Sequence, residues 1–207
     1  MSTPFPTPTS APTRSASASR RTAETDITIE LNVDGSGRTD CSTGLPFFDH
    51  MLDQLGRHGG LDLSVQATGD LQIDAHHTVE DTGILLGAVL KEALGDKSGV
   101  RRFASLRVPL DEAVVESVLD LSGRPFLHYD IDPPGVKILG DPPFDPQLME
   151  EFWRAVVTSA GITLHLTMVR GRNTHHIVEA SVKAAARSLR DAVRIEGTGV
   201  PSTKGVL

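Results

Sequence analysis

Two short stretches carry the residues best suited to chemistry. Residues 75–81 read Ala-His-His-Thr-Val-Glu-Asp, and residues 174–180 read Thr-His-His-Ile-Val-Glu-Ala. Both are His-His-x-x-Glu, and both open an apolar segment with helical spacing. On a helix, positions i and i+4 share a face. Glu80 therefore stands one turn above His76, and Glu179 one turn above His175. His77 and His176 point about a quarter-turn away. Each copy thus offers a His/Glu pair to one point in space and a lone imidazole to another. Two copies facing each other could fill two metal sites with mixed nitrogen and oxygen ligands. A single His-His pair is more often solvated surface; identical spacing in two copies favours the metal reading. Imidazole with carboxylate and no thiolate suits Mn, Fe, Zn or Ni rather than a structural zinc knot.

The rest of the chain must position these groups. At 207 residues it can bury a real core as one large domain or two small ones. A formal charge of −7 and 4% aromatic residues argue against a nucleic-acid partner. No apolar run is long enough to span a bilayer, so no membrane partner is expected. The lone Cys41 excludes an intramolecular disulfide framework and lies in a Gly/Ser/Thr-rich turn with no base beside it, so it is read as non-catalytic. Residues 1–22 are almost all Ser, Thr, Pro, Ala and Arg, and are expected to be a disordered extension, with an organelle transit peptide as the other reading.

From Asp26 the sequence alternates, with Ile27, Ile29, Leu31 and Val33 on one face of a strand. A second short strand runs towards Cys41, and Pro46 opens a helix that Gly59-Gly60 ends. Strands follow at 61–68 and 70–74, then the first His-His-x-x-Glu helix to about Leu94. The second half repeats the order: strands at 104–110, 112–121 and 124–131, a helix at about 147–159, a strand at 162–169, and the second motif helix to about Val193. "GGLDLSV" at 59–65 answers "AGITLHL" at 160–166. The expected class is α+β, built from two duplicated half-units (23–100 and 101–196), each a small sheet of about four strands with two helices on one face, followed by a tail at 197–207. His50 lies 26 residues before His76, and its counterpart in the second half falls on Met149, Glu150 or Glu151. His128 and His165 sit in strand patterns and are read as structural.

The ordered motifs "FFDHML" (47–52), "DAHHTVEDTG" (74–83), "RRF" (101–103), "DLSGRP" (120–125), "HHIVEASVKAAARSL" (175–189) and "PSTKG" (201–205) resemble the imidazoleglycerol-phosphate dehydratase family of histidine biosynthesis, from about Glu24 to the C-terminus. The resemblance implies a cytoplasmic lyase that converts imidazole glycerol phosphate to imidazole acetol phosphate and water. It implies two Mn(II) ions per active site, and a homo-oligomer of twenty-four subunits with sites shared between neighbours. One ion would take His50, His77, His175 and Glu179; the other would take His76, Glu80, His176 and position 151. There the family usually has histidine and this chain has Glu151, whose extra charge would reduce the ion's Lewis acidity. The substrate phosphate would be clasped by Arg102, Arg124, Lys183, Ser202 and Lys204, with Thr203 between the last two. His58, Glu24, His50, His76 and His175 would also touch the substrate. Glu24 is the favoured proton carrier, ahead of Glu80 and His50, whose lone pairs the metals would occupy. Two other readings are a two-metal phosphoesterase and a metal-binding assembly protein that has lost catalysis through Glu151.

Overall fold

The structure, a computed structural model, describes residues 14–135 and 137–207. The first half contains β1 (Ser15–Arg21), β2 (Thr25–Asn32), β3 (Thr39–Ser42), α1 (Pro46–Gly59), β4 (Asp62–Gly69) and α2 (His76–Leu94). The second contains β5 (Phe103–Leu110), β6 (Ala113–Asp120), β7 (Phe126–Asp130), α3 (Leu148–Ala160), β8 (Thr163–Arg170) and α4 (Thr174–Ala192). Their sheets have the same order, β1-β2-β4-β3 and β5-β6-β8-β7. In each the last pair is parallel and the others antiparallel. This is the expected α+β duplication.

Alternation builds the strands. Ile27, Ile29, Leu31 and Val33 are all buried, while Asp26 before them and Thr28 and Glu30 between them face outward. Helical spacing builds α1, whose Phe47, Phe48, Met51, Leu52 and Leu55 are buried. Pro46 occupies its first turn, where a missing N–H costs nothing. Gly60 and Gly161 end α1 and α3 in the left-handed conformation, at φ 66° and 65°, which glycine adopts without a Cβ penalty. One apolar core runs through both halves, with Phe48 stacked on Phe144 and edge-on to Phe152.

The helices lie between the sheets and cross between halves: α1 packs on α4, and α2 on α3. The second crossing is close because α2 carries Gly83 and Gly87. A Cβ on Gly87 would lie 2.5 Å from the Val156 carbonyl oxygen and 2.7 Å from Ser159 Cβ.

Two expectations are corrected. Residues 15–21 are not disordered but form β1, paired along its whole length with β2. Ala16 and Ala18 pack on the core, and Arg20 reaches the buried Asp81 at 3.1 Å. The start of that extension, 1–13, lies outside the described residues. Residues 70–74 are a turn rather than a strand: the Ile73 N–H donates to the Asp70 carbonyl, and Ile73 is 67% exposed.

Candidate metal and substrate site

The α1–α4 crossing gathers three of the expected ligands. His50 and His175 direct their Nε2 atoms at the same Glu179 oxygen, at 3.2 and 2.9 Å. Lys183, one turn on, pairs with the other Glu179 oxygen at 2.5 Å. Burial pushes the Glu179 carboxyl towards protonation, but the Lys183 ammonium and the two imidazoles outweigh it and hold the acid down at about 2. Phe47 presses edge-on against the His175 ring. His58, in the last turn of α1, bonds Gln54 at 3.1 Å. Burial and the nearby Lys183 and Arg187 charges keep it neutral-leaning.

The α2–α3 crossing is the counterpart. His76 Nε2 lies 3.9 Å from Glu80, and His76 shares a cleft with Glu150 and Glu151 of α3. Counting back from the equivalent caps gives 60 − 50 = 10 and 161 − 151 = 10, so the structural counterpart of His50 is Glu151. Glu150 and Glu151 both pair with Arg154, at 2.5 and 3.4 Å.

The second histidine of each motif goes elsewhere. His77 Nδ1 donates to Asp70 at 3.0 Å, with Glu24 3.8 Å away. The Asp70 bond, helped by Glu24, raises the His77 pKa above its ordinary value. His176 Nδ1 donates to Glu112 at 2.8 Å. That bond, with the backbone N–H groups of Asn173 and Arg172, lowers the Glu112 carboxyl to about 2. Each expected quartet therefore has three members at one crossing and a fourth outside it. Asp70 and Glu112 were missed by sequence reasoning; Asp70 had the signal of an acid seven residues before His77, but Glu112 sits in an ordinary hairpin turn.

The expected phosphate clasp is divided too. Lys183 is beside Glu179. Arg102 is bound to Asp120 at 2.7 Å, donates to the Pro201 carbonyl at 2.8 Å, and lies over Phe103. Arg124 donates to the Ser122 carbonyl. Its neighbour Gly123 has Leu207 against it, 2.4 Å from where a Cβ would be. The tail with Ser202, Thr203 and Lys204 is thus held beside Arg102 and Arg124. The Arg102 N–H bonds the Ala192 carbonyl at the end of α4. That is thirteen residues, or about 20 Å of helix, from Glu179.

His128 and His165 pair side by side on the second sheet, and their ring contacts are with each other and Phe126. Cys41 is far from reactive: burial and the carboxylates of Asp53, Asp49 and Asp40 push its thiol up to about 12.

Fold and site together define a class: a duplicated α+β protein whose cross-half helix contacts hold His/Glu groups able to take a metal ion. The comparisons with known proteins narrow it. The family model described as Imidazoleglycerol-phosphate dehydratase matches residues 43–189. Proteins of that name from Jannaschia sp. (strain CCS1) and Parafrankia sp. (strain EAN1pec) are 53% and 52% identical over 94% of this chain, and are themselves covered to 100% and 99%. The solved enzyme from Staphylococcus aureus subsp. aureus N315 superposes with a TM-score of 0.77 at 36% identity, over 89% of this chain and 99% of its own. The one from Pyrococcus furiosus, in complex with (S)-C348, gives 0.78 at 36% identity over 92% and 100%. The chain belongs to the imidazoleglycerol-phosphate dehydratase family, whose members are hydro-lyases.

Proposed function

We propose that this chain dehydrates imidazole glycerol phosphate to imidazole acetol phosphate in cytoplasmic histidine biosynthesis, with two Mn(II) ions per site and sites shared between copies of a large homo-oligomer. The observation that carries the reading is the triad of His50, His175 and Glu179, whose donor atoms all lie within 4.8 Å of one another. Two imidazole nitrogens and a carboxylate oxygen, without thiolate, fit a borderline-hard divalent ion. His76, Glu80 and Glu151 would hold the second ion, with a harder donor set because Glu151 replaces an imidazole. Bound metal would supply Lewis acidity and orientation to the substrate ring.

The protein's own residues do the rest. His77 and His176 stand outside the triads of their own chain, so each is free to complete a triad on a neighbouring copy. Arg102, whose side chain holds the tail at Pro201, lies about 20 Å along α4 from Glu179, too far to hold the phosphate of a substrate centred there. It therefore serves a site on another copy, with Lys183 contributing locally. Remote phosphate binding positions the reacting carbons. Glu24, its side chain 51% exposed and, among the described residues, making only a 3.8 Å approach to His77, retains lone pairs to accept the carbon-bound proton as the hydroxyl departs.

The test is a dehydration assay on protein stripped with chelator and resupplied with Mn(II), run beside Glu151→His. A new ketone whose formation returns with Mn(II) is expected. Release of inorganic phosphate would instead favour the phosphoesterase, and metal binding without turnover in the native chain but not in Glu151→His would favour the assembly protein. Glu24→Gln is expected to lower kcat by at least a hundredfold; full kcat would remove Glu24 from proton transfer.

A further inference from the structure

The duplication is imperfect, and its imperfection surrounds the second histidine of each motif. In the first half, His77 Nδ1 meets both oxygens of Asp70, at 3.0 and 3.2 Å. In the second, His176 Nδ1 meets Glu112 Oε2 at 2.8 Å. The other Glu112 oxygen accepts the backbone N–H groups of Arg172 and Asn173, at 3.1 and 2.8 Å. An ionised carboxylate only accepts, so in both halves Nδ1 carries a proton, and in the neutral ring, the form that binds a metal, the lone pair is on Nε2.

The two carboxylates are not counterparts. β4 and β8 correspond with an offset of 163 − 62 = 101, which places Gly171 opposite Asp70. No side chain fits there, because a Cβ on Gly171 would lie 2.5 Å from Ile177 Cγ1. The counterpart of Glu112 is Glu24: each immediately precedes the second strand of its sheet, β6 and β2. Glu24 stands back from His77 at 3.8 Å where Glu112 closes on His176 at 2.8 Å.

We propose that Asp70 and Glu112 are the positioning residues of the two metal sites, each fixing its histidine with Nε2 towards the ion, and that Asp70, by taking this duty in the first half, leaves Glu24 free for proton transfer. The proposal rests on the metal-dependent reading above. A carboxylate behind a ligating imidazole sets its tautomer and orientation, and removing one commonly weakens metal binding about 10–100-fold. The structure supplies that arrangement by two different residues, so the two sites can be disturbed one at a time.

The experiment is Mn(II) titration of the full chain, followed by the electron paramagnetic resonance signal of free Mn(II) and by calorimetry. Wild type is expected to take two ions per chain. Asp70→Ala should weaken one of them about 10–100-fold, with the thermal midpoint of the metal-free protein little changed, since among the described residues its side-chain hydrogen bonds go only to His77. Glu112→Gln should weaken the other. Its amide oxygen stays with the two backbone N–H groups, which turns the NH2 towards His176 Nδ1 and forces the proton onto Nε2. Glu24→Gln should leave both affinities unchanged. Wild-type affinity for both ions in Asp70→Ala overturns the positioning role, and that variant decides alone if Glu112→Gln fails to fold. A wild-type chain that takes no Mn(II) overturns the metal reading itself, and this proposal with it.

Discussion

Glu179 concentrates the electrostatics of the site at residue scale. It is nearly buried, yet three donors hold it ionised. Its folded pKa, about 2, lies below the ordinary glutamate value near 4.3. The stabilisation it gives the metal-free protein is therefore complete above about pH 4.3 and is lost as pH falls towards 2. Lys183→Met should remove the strongest of the three donors, so acid unfolding should begin at higher pH than in wild type, as followed by circular dichroism of the metal-free protein. Cys41 gives a second expectation. A thiol raised from 9.0 to about 12 carries about a thousandfold less thiolate at pH 8, so iodoacetamide should label native protein about a thousandfold more slowly than denatured protein. The candidate His and Glu ligands could be read from the sequence because helical spacing is a local property. Glu112 and Asp81 could not, since each acquires its meaning from a partner that only the fold brings near, whereas Asp70 stands seven residues before His77 and left a local signal. The candidate phosphate residues could be read only through motif likeness.

At the scale of elements, β1 shows how a polar strand escapes notice. Its Ser-Ala-Ser-Ala-Ser-Arg pattern alternates, but alanine is too small to signal a buried face. What fixes it is β2's edge and the buried Asp81, which takes Arg20 at 3.1 Å and Thr25 at 2.5 Å. Arg20→Ala should leave that carboxylate half-satisfied and cost about 1–3 kcal/mol in denaturant unfolding. Arg14 secures the other end of β1 through Asp34 and, at 2.7 Å, the Val193 carbonyl. The α2–α3 crossing makes a second claim. Gly87→Ala would gain about 1 kcal/mol in helix propensity but must push α3 away. A net loss of about 1–3 kcal/mol is expected, seen as a thermal midpoint lowered by about 2–4 °C per kcal/mol. A rise would mean that the crossing relaxes freely. The helices themselves were readable from apolar spacing and glycine stops, but nothing local revealed that each pairs with a helix of the opposite half.

For the whole molecule, the tail is an attachment to the fold rather than part of its core. Gly99 N–H holds the Gly199 carbonyl at 2.7 Å and Arg102 holds Pro201. Removing residues 200–207 should leave folding and Mn(II) affinity intact while raising KM for the phosphorylated substrate at least tenfold; unchanged KM would separate the tail from phosphate binding.

The crossed helix pairing has a historical consequence. A half-length chain meeting a second copy of itself across a twofold axis would form the same contact twice, with an identical imidazole cluster at each. Joining the halves into one gene removes that identity requirement. Glu151 stands opposite His50 and Gly171 opposite Asp70, and at both positions a single chain carries a difference that two identical halves could not.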